Sequence, residues 1–364
     1  MEPGTIHINM FWGYSNNGNN KKIDNNAFSG CASLESVSLP DSLTNIGYEA
    51  FSKCVSLTSV DIPEGVTTIG SGAFNGCKLL NKITIPSTIK TIGSDYGTGA
   101  FQDCTSLASV TIKEGIQAAT MGGNTYSGCT AITSIVIPGN YSEIQQSAFE
   151  NCKGLKTLTY SPSVKGITHK IASYAFKGCQ SLAHVTLGTG LESIDSEAFY
   201  NDSMIAEINI PVGVKSIGQN AFANCTRLSK LTLPEGLVTI KSGAFQSCKS
   251  LKSVEIPSTV TKVTDGYTAG AFENCTGLTN VTFKQGIEEA VIGQDCFNGC
   301  QSLLSVVIPG NYSEIDQNAF ENCTSLKSFK YAVSVNNIEH TIGNSAFRNC
   351  QSLTSVTLEK GLKI

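Results

Sequence analysis

Apolar residues recur along this chain in a single spacing. One turn of it reads Ala50, Phe51, Cys54, Leu57, Val60, Ile62, Pro63, Val66, Ile69, Gly70, and the same order then returns throughout the chain. As a pattern the unit reads A-F-x-x-C-x-x-L-x-x-V-x-I-P-x-x-(V/L)-x-x-I-G. The alternation at Val60-x-Ile62 predicts a short strand with those side chains inward, because successive strand residues face opposite ways. Pro63 ends the strand, having no amide hydrogen for a ladder. Val66 and Ile69 are predicted to turn inward on the return path, and Gly70 to supply a turn with relaxed backbone limits. Ala73-Phe74 then opens the next unit with a single helical turn, its phenylalanine in the core.

No unit of this size buries enough apolar surface to fold alone, so stability has to come from stacked neighbours. The cysteine column counts the coils. It runs from Cys31, Cys54, Cys77, Cys104, Cys129, Cys152 and Cys179 to Cys225, Cys248, Cys275, Cys300, Cys323 and Cys350, in steps of 23, 25 or 27. Asp202 fills the one double step, and Cys296 lies off the grid. About fourteen such coils are predicted over 23–364, after an N-terminal extension or cap at 1–22 that is expected to be partly disordered. A longer period overlies the first, at an offset of 171. VIPGNYSEIQQSAFENC at 136–152 matches VIPGNYSEIDQNAFENC at 307–323 in fifteen of seventeen positions. A block of seven coils has been copied.

The pattern AFxxCxxLxxVxIP followed by IG resembles the BspA-like leucine-rich repeats, also called the Treponema pallidum type, over residues 23 to 364. Departures are few: Asp202 stands for a cysteine, while Thr125-Tyr126 and Cys296-Phe297 stand for Ala-Phe. The resemblance implies a leucine-rich repeat solenoid: a right-handed superhelix with a parallel β-sheet on its concave face, and short strands, turns and single helical turns on the convex side. It also implies a surface or secreted protein of a host-associated bacterium or a protist, with a role in adhesion. The family supplies no shared catalytic residues.

Composition narrows the function classes. With 15% charged residues, 8% aromatics and a net charge of −4, the chain has no basic footprint for nucleic acid or an anionic membrane. No stretch reaches the ~18–20 apolar residues of a transmembrane helix. The start, MEPGTIHINMFWGYSNNGNNKK, lacks the basic and apolar regions of a signal peptide, so either none exists or one has been trimmed.

Fourteen cysteines invite a disulfide reading. Translation along a parallel stack, however, would leave successive Cβ atoms ~5 Å apart, beyond the ~3.5–4.5 Å of a bridge. They are expected to be buried free thiols, small hydrophobes that donate weakly to backbone. There is no CxxC pair, and neither zinc nor any other cofactor is expected.

Residues five and seven positions past each cysteine face outward and form mostly a Ser/Thr ladder, for which strand propensity is sufficient reason. One stretch differs. His184, Glu207 and Lys230 share a column in three adjacent coils, with Asn209 and Glu255 beside them. The patch is a candidate docking surface for a partner or ion, and cross-strand charge pairing accounts for it equally well. The loops GNYSEI at 139–144 and 310–315 present Tyr141 and Tyr312, and the inserts SDYGTGAF and TDGYTAGAF add Tyr96 and Tyr267. Exposed tyrosines on long loops suit recognition; the alternative is that each ring covers an edge of the core. His169 and His340 are copies of one another and read as part of a structural insertion.

No base, nucleophile or metal cluster converges, so no enzyme is expected. The chain is expected to be a surface or secreted binding protein that adheres to a protein or glycan ligand on host or microbial cells. A structural spacer or an intracellular interaction scaffold is the alternative. The last coil has no polar capping unit, which predicts a longer parent protein or end-to-end association.

Overall fold

The alternation at Val60 and Ile62 does form a strand with its apolar residues buried, as seen in a computed structural model that describes residues 5–7, 21–94, 97–162, 168–266, 268–332 and 338–358. The chain divides into two compact units, Met1–Leu182 and Ala183–Ile364. Each is a parallel β-solenoid, and between them they carry about fourteen turns.

In the first unit, the strands that precede the proline turn stack as a parallel sheet: Thr5–His7, Ser36–Ser38, Ser59–Val60, Lys82–Ile85 and Ser109–Ile112. Ser134–Ile137 pairs in the same manner with Thr157–Tyr160. The N-terminal segment thus contributes a strand, Thr5–His7, parallel to Ser36–Ser38. The return path makes a second parallel sheet that the pattern does not announce: Lys22–Ile23, Asn45–Ile46, Thr68–Ile69, Thr91–Ile92, Ala119–Met121, Tyr141–Ile144 and His169–Ile171. Its inward residues include Ile46, Ile69 and Ile92, all buried.

The second unit repeats this plan. Glu207–Asn209 pairs with Lys230–Thr232, Ser253–Ile256 with Asn280–Phe283, and Ser305–Ile308 with Ser328–Tyr331, which also pairs with Ser355–Leu358. Its second sheet runs from Leu191–Ile194 through Ser216–Ile217, Thr239–Ile240, Lys262–Val263, Ala290–Ile292 and Tyr312–Ile315 to Thr341–Ile342.

The expected helical turn at Ala-Phe is absent among the described residues. In the coil that begins at Gly70, Ala73, Asn75 and Cys77 donate to carbonyls three residues back, Gly70, Gly72 and Phe74. The amides between them, Phe74 and Gly76, donate instead to Ala100 and Gln102 of the next coil, at 2.7 and 2.8 Å. Gly72 and Gly76 also have positive φ, 64° and 68°. A helix needs every amide for its own ladder and negative φ throughout, so this segment is a run of turns that bonds sideways. Asn224, Asn274 and Asn322 precede the column cysteine at φ between 58° and 63°, a region asparagine tolerates better than most residues.

Two further expectations need correction. Gly70 is not in the positive-φ region; a Cβ there would lie 2.6 Å from the Gly47 carbonyl carbon and the Tyr48 nitrogen, so glycine is demanded by backbone approach between coils. The inward column of Val66 holds at Ile89, Leu237 and Val260, but Ile116 and Ile287 stand in solvent.

The core is columnar. From Phe28 to Phe176 in the first unit the rings stack with centroids 5.1 to 5.3 Å apart, Tyr126 standing in for phenylalanine. Phe199, Phe222, Phe245, Phe272, Phe297, Phe320 and Phe347 do the same in the second, at 5.1 to 5.4 Å. The cysteines are free thiols, and from Cys54 onward each column Sγ donates to the backbone carbonyl of the previous coil's aromatic residue: Cys77 to Phe51 at 3.1 Å, Cys152 to Tyr126 at 3.1 Å, Cys300 to Phe272 at 3.3 Å. Burial pushes the Cys54 and Cys77 thiols up to about 11 and about 12.

Candidate binding surface

In both units the outward residues of the first sheet align in columns. Ser36, Ser59, Lys82 and Ser109 are register partners in the first unit, as are Ser305, Ser328 and Ser355 in the second. Most of this row is exposed, with side chains standing off a short pleated strand.

The polar patch of the second unit lies on this row. His184 begins the strand His184–Leu187 and is exposed. Glu207 and Lys230 are direct register partners, their carboxylate and ammonium 3.5 Å apart, and Asn209 lies opposite Thr232. An exposed pair at that distance contributes little to stability, which leaves both charges open to exchange partners. Glu255, exposed on the strand Ser253–Ile256, pairs at 2.7 Å with Lys284. Lys284 also reaches Glu235 at 3.1 Å. Hydrogen bonding to Glu255 first and Glu235 second holds the Lys284 ammonium above the usual lysine range. Lys284 and Glu235 were not among the candidates. They sit past the ends of their strands and 49 residues apart, so column arithmetic within the strands does not bring them together.

The tyrosine loops are another matter. Tyr141 and Tyr312, candidates for exposed recognition groups with core cover as the alternative, are each only 1% exposed, so the alternative holds. They open strands of the second sheet, Tyr141–Ile144 and Tyr312–Ile315, and turn their rings into the core. The Tyr141 carbonyl accepts from the Tyr160 hydroxyl at 2.7 Å and lies 3.1 Å from His169 Nδ1. In the copy, the Tyr312 carbonyl accepts from Tyr331 at 2.6 Å with His340 Nδ1 at 2.8 Å. Both histidines are buried and serve this internal network. Tyr96 and Tyr267 lie outside the described residues.

Among the described residues, no group of three or more His, Cys, Asp and Glu comes together as a metal site, and no helix is long and apolar enough to cross a membrane. What the geometry offers is an uncovered strand face of hydroxyls with one cluster of paired charges.

Residues 15–117, 96–170, 165–269 and 267–364 match the family described as "BspA type Leucine rich repeat region (6 copies)". A leucine-rich repeat protein from Bacteroides ovatus is similar with a TM-score of 0.70 and 24% identity, over 97% of this chain and 86% of that one. The Treponema pallidum leucine rich repeat protein is 32% identical over 47% of this chain and 77% of that one, with a TM-score of 0.42. A leucine rich cell surface protein from Faecalibacterium prausnitzii is 28% identical over 80% of this chain and 83% of its own, with a TM-score of 0.41. No curated protein matches the chain.

Proposed function

The chain belongs to the family of BspA-type leucine-rich repeat proteins, a protein-interaction fold, and we propose that it works by adhesion, at a cell surface or in the extracellular space, and not by catalysis. The ligand on this reading is a protein or glycan of a host or microbial surface. The observation that carries it is the outward row of the first sheet, exposed at most of its described positions, with its repeating backbone and its charged cluster. His184, Glu207, Lys230, Asn209 and Glu255 form the contact patch, and Lys284 joins them through Glu255. Charge pairs at the edge of an interface set partner choice and association rate more than raw affinity. That suits an adhesin, which must select one surface among many.

The test is a panel of immobilised extracellular-matrix proteins and a glycan array, probed with the whole chain. At least one ligand should bind. Glu207→Lys and Lys230→Glu, each alone, should weaken it five-fold or more, and the double exchange should recover part of the loss. A panel without a ligand, or a ligand indifferent to all three variants, would overturn the reading.

A further inference from the structure

Ile116 and Ile287 hold the position, twelve residues past the cysteine, that Val66, Ile89, Leu237 and Val260 bury in other coils. Yet Ile116 is 101% exposed and Ile287 86%. Their coils, Cys104 to Cys129 and Cys275 to Cys300, are two residues longer than the commonest coil. The extra length lets Ala119 and Ala290 take the inward place, with a register irregularity just after each. The ring of the next coil, Tyr141 or Tyr312, lies opposite that alanine in the ladder and brings the bulk the alanine lacks.

The outward isoleucines are held there by a built support. Beneath each loop a buried asparagine of the next coil reaches up: Asn140 Nδ2 donates to the Gln117 carbonyl and Asn311 Nδ2 to the Glu288 carbonyl, both at 3.0 Å. Asn311 Oδ1 also accepts from the Gly286 amide at 3.2 Å. Gly115 and Gly286 let the loop pass the previous coil, since a Cβ would stand 2.4 Å from the Ser87 carbonyl oxygen and 2.5 Å from that of Ser258. On the strand side Lys113 is tied to Glu64 at 2.7 Å and Lys284 to Glu235 at 3.1 Å.

A lone exposed aliphatic residue is ordinary on a protein surface. Two further facts set this pair apart. The loops have diverged between copies, Glu114 against Gln285, Gln117 against Glu288, Ala118 against Glu289, while lysine, glycine and isoleucine are the same in both. The coil after each isoleucine also carries an outward valine where most coils have a hydroxyl or a charge: Val136, 62% exposed, and Val307, 53%.

We propose that the loops 113–118 and 284–289 are two equivalent protein-docking sites, each offering its isoleucine as a preformed anchor for an apolar pocket of a protein partner. The chemistry selects a protein. An anchor held in place before binding loses little freedom when it is buried, and an aliphatic knob suits an apolar pocket. Among the described residues Tyr48 is the only aromatic ring among the exposed large hydrophobics, so there is little platform on which a sugar could stack. The net charge of −4 does not favour an anionic bilayer.

The experiment selects clones from a phage-displayed library of peptides and small domains on the whole chain, then titrates each clone against wild type, Ile116→Ser, Ile287→Ser and the double variant. Because both substitutions are on exposed loops, thermal melts of the variants should match wild type. The enriched clones should bind two per chain, one per chain after either substitution and none after both, with Ile116→Val losing less affinity than Ile116→Ser. Failure to enrich clones, or a stoichiometry unmoved by the double variant, overturns the proposal. So does isoleucine-dependent binding to phosphatidylglycerol vesicles or to a glycan array in place of the clones. Clones sensitive to Lys230→Glu but not to the isoleucines support the sheet face as the binding surface and reject the loops.

Discussion

The thiol of Cys77 donates to the backbone carbonyl of Phe51, 3.1 Å away and one coil earlier, and neither group is exposed. The same bond repeats along each unit, so the cysteine column is a seam that ties each coil to its predecessor. Thiolate is the reactive form of cysteine, and burial drives the thiols of Cys54, Cys77, Cys104, Cys129 and Cys248 away from it. Iodoacetamide at pH 8 should therefore label Cys31, which is exposed, ahead of the half-buried Cys350. Cys54 to Cys323 should react only once the chain is unfolded in guanidinium. Mass mapping of labelled peptides checks this, and rapid native labelling of Cys77 or Cys152 would count against the seam.

Glycine has two roles here that substitution should separate. At Gly70 the obstacle is the neighbouring coil's backbone, 2.6 Å from a Cβ; at Gly76 there is room but φ is 68°. Backbone cannot move aside as a side chain can, so Gly70→Ala should cost about 3 kcal/mol. Gly76→Ala should cost about 1 kcal/mol, the penalty of a left-handed L-residue. Urea denaturation of the two variants checks the order; equal losses would rule out the close-approach account.

Much of the fold was legible because each inward position is a column, and a column survives any single exception. Phe51, Cys54, Leu57 and Ile69 can be placed inward from the pattern alone. Interactions that depend on the neighbouring coil could not be read so directly. Two-residue strands such as Thr68–Ile69 exist only because Thr91–Ile92 lies alongside, and Phe74 avoids a helix only because Ala100 takes its hydrogen bond. In the longer coils the pattern alone does not say which of Ile116 and Ala119 faces inward, and it left Tyr141 open between an exposed loop and an edge of the core. On the candidate face, Glu207 and Lys230 were found because a gap of 23 residues fixes their register. Lys284 was missed because it lies past the end of its strand, where the register of the ladder no longer applies, and one of its partners, Glu235, is two coils back.

Thr264 has φ of 67°, a conformation that β-branched residues rarely adopt. Its counterpart in the other copy of the seven-coil block is Gly93, at 72°. The threonine is retained against this strain by a hydrogen bond, its Oγ1 accepting from the Ala271 amide at 2.8 Å in a buried setting. Thr264→Val keeps the branched shape and the strain but strands that amide, and should cost about 1–3 kcal/mol. Thr264→Gly also loses the bond but relieves the backbone, so its loss should be smaller. Thermal melts rank the two; a valine variant as stable as the glycine variant would refute the assignment.

Glu273 occupies the place that glutamine holds in the other copy. Its Oε2 accepts from the Gly270 amide and from Gln246, both at 3.1 Å, as Gln102 Oε1 accepts from the Gly99 amide at 3.1 Å. Burial first, and then the charge of Asp295, pushes its pKa above the ordinary carboxylate value, against the Gly270 and Gln246 donors that pull it down. A carboxyl whose folded pKa is raised holds its proton more tightly when folded, so it adds stability in acid. That stability is lost as pH rises through the folded pKa. An amide makes the same two bonds and never ionises. Glu273→Gln should therefore melt higher than wild type at pH 7, and the two should converge near pH 3, where the carboxyl is neutral in both folded and unfolded chains. Melting profiles from pH 3 to 7 test this. If the two curves ran parallel across that range, burial of the carboxylate would carry no cost in the fold.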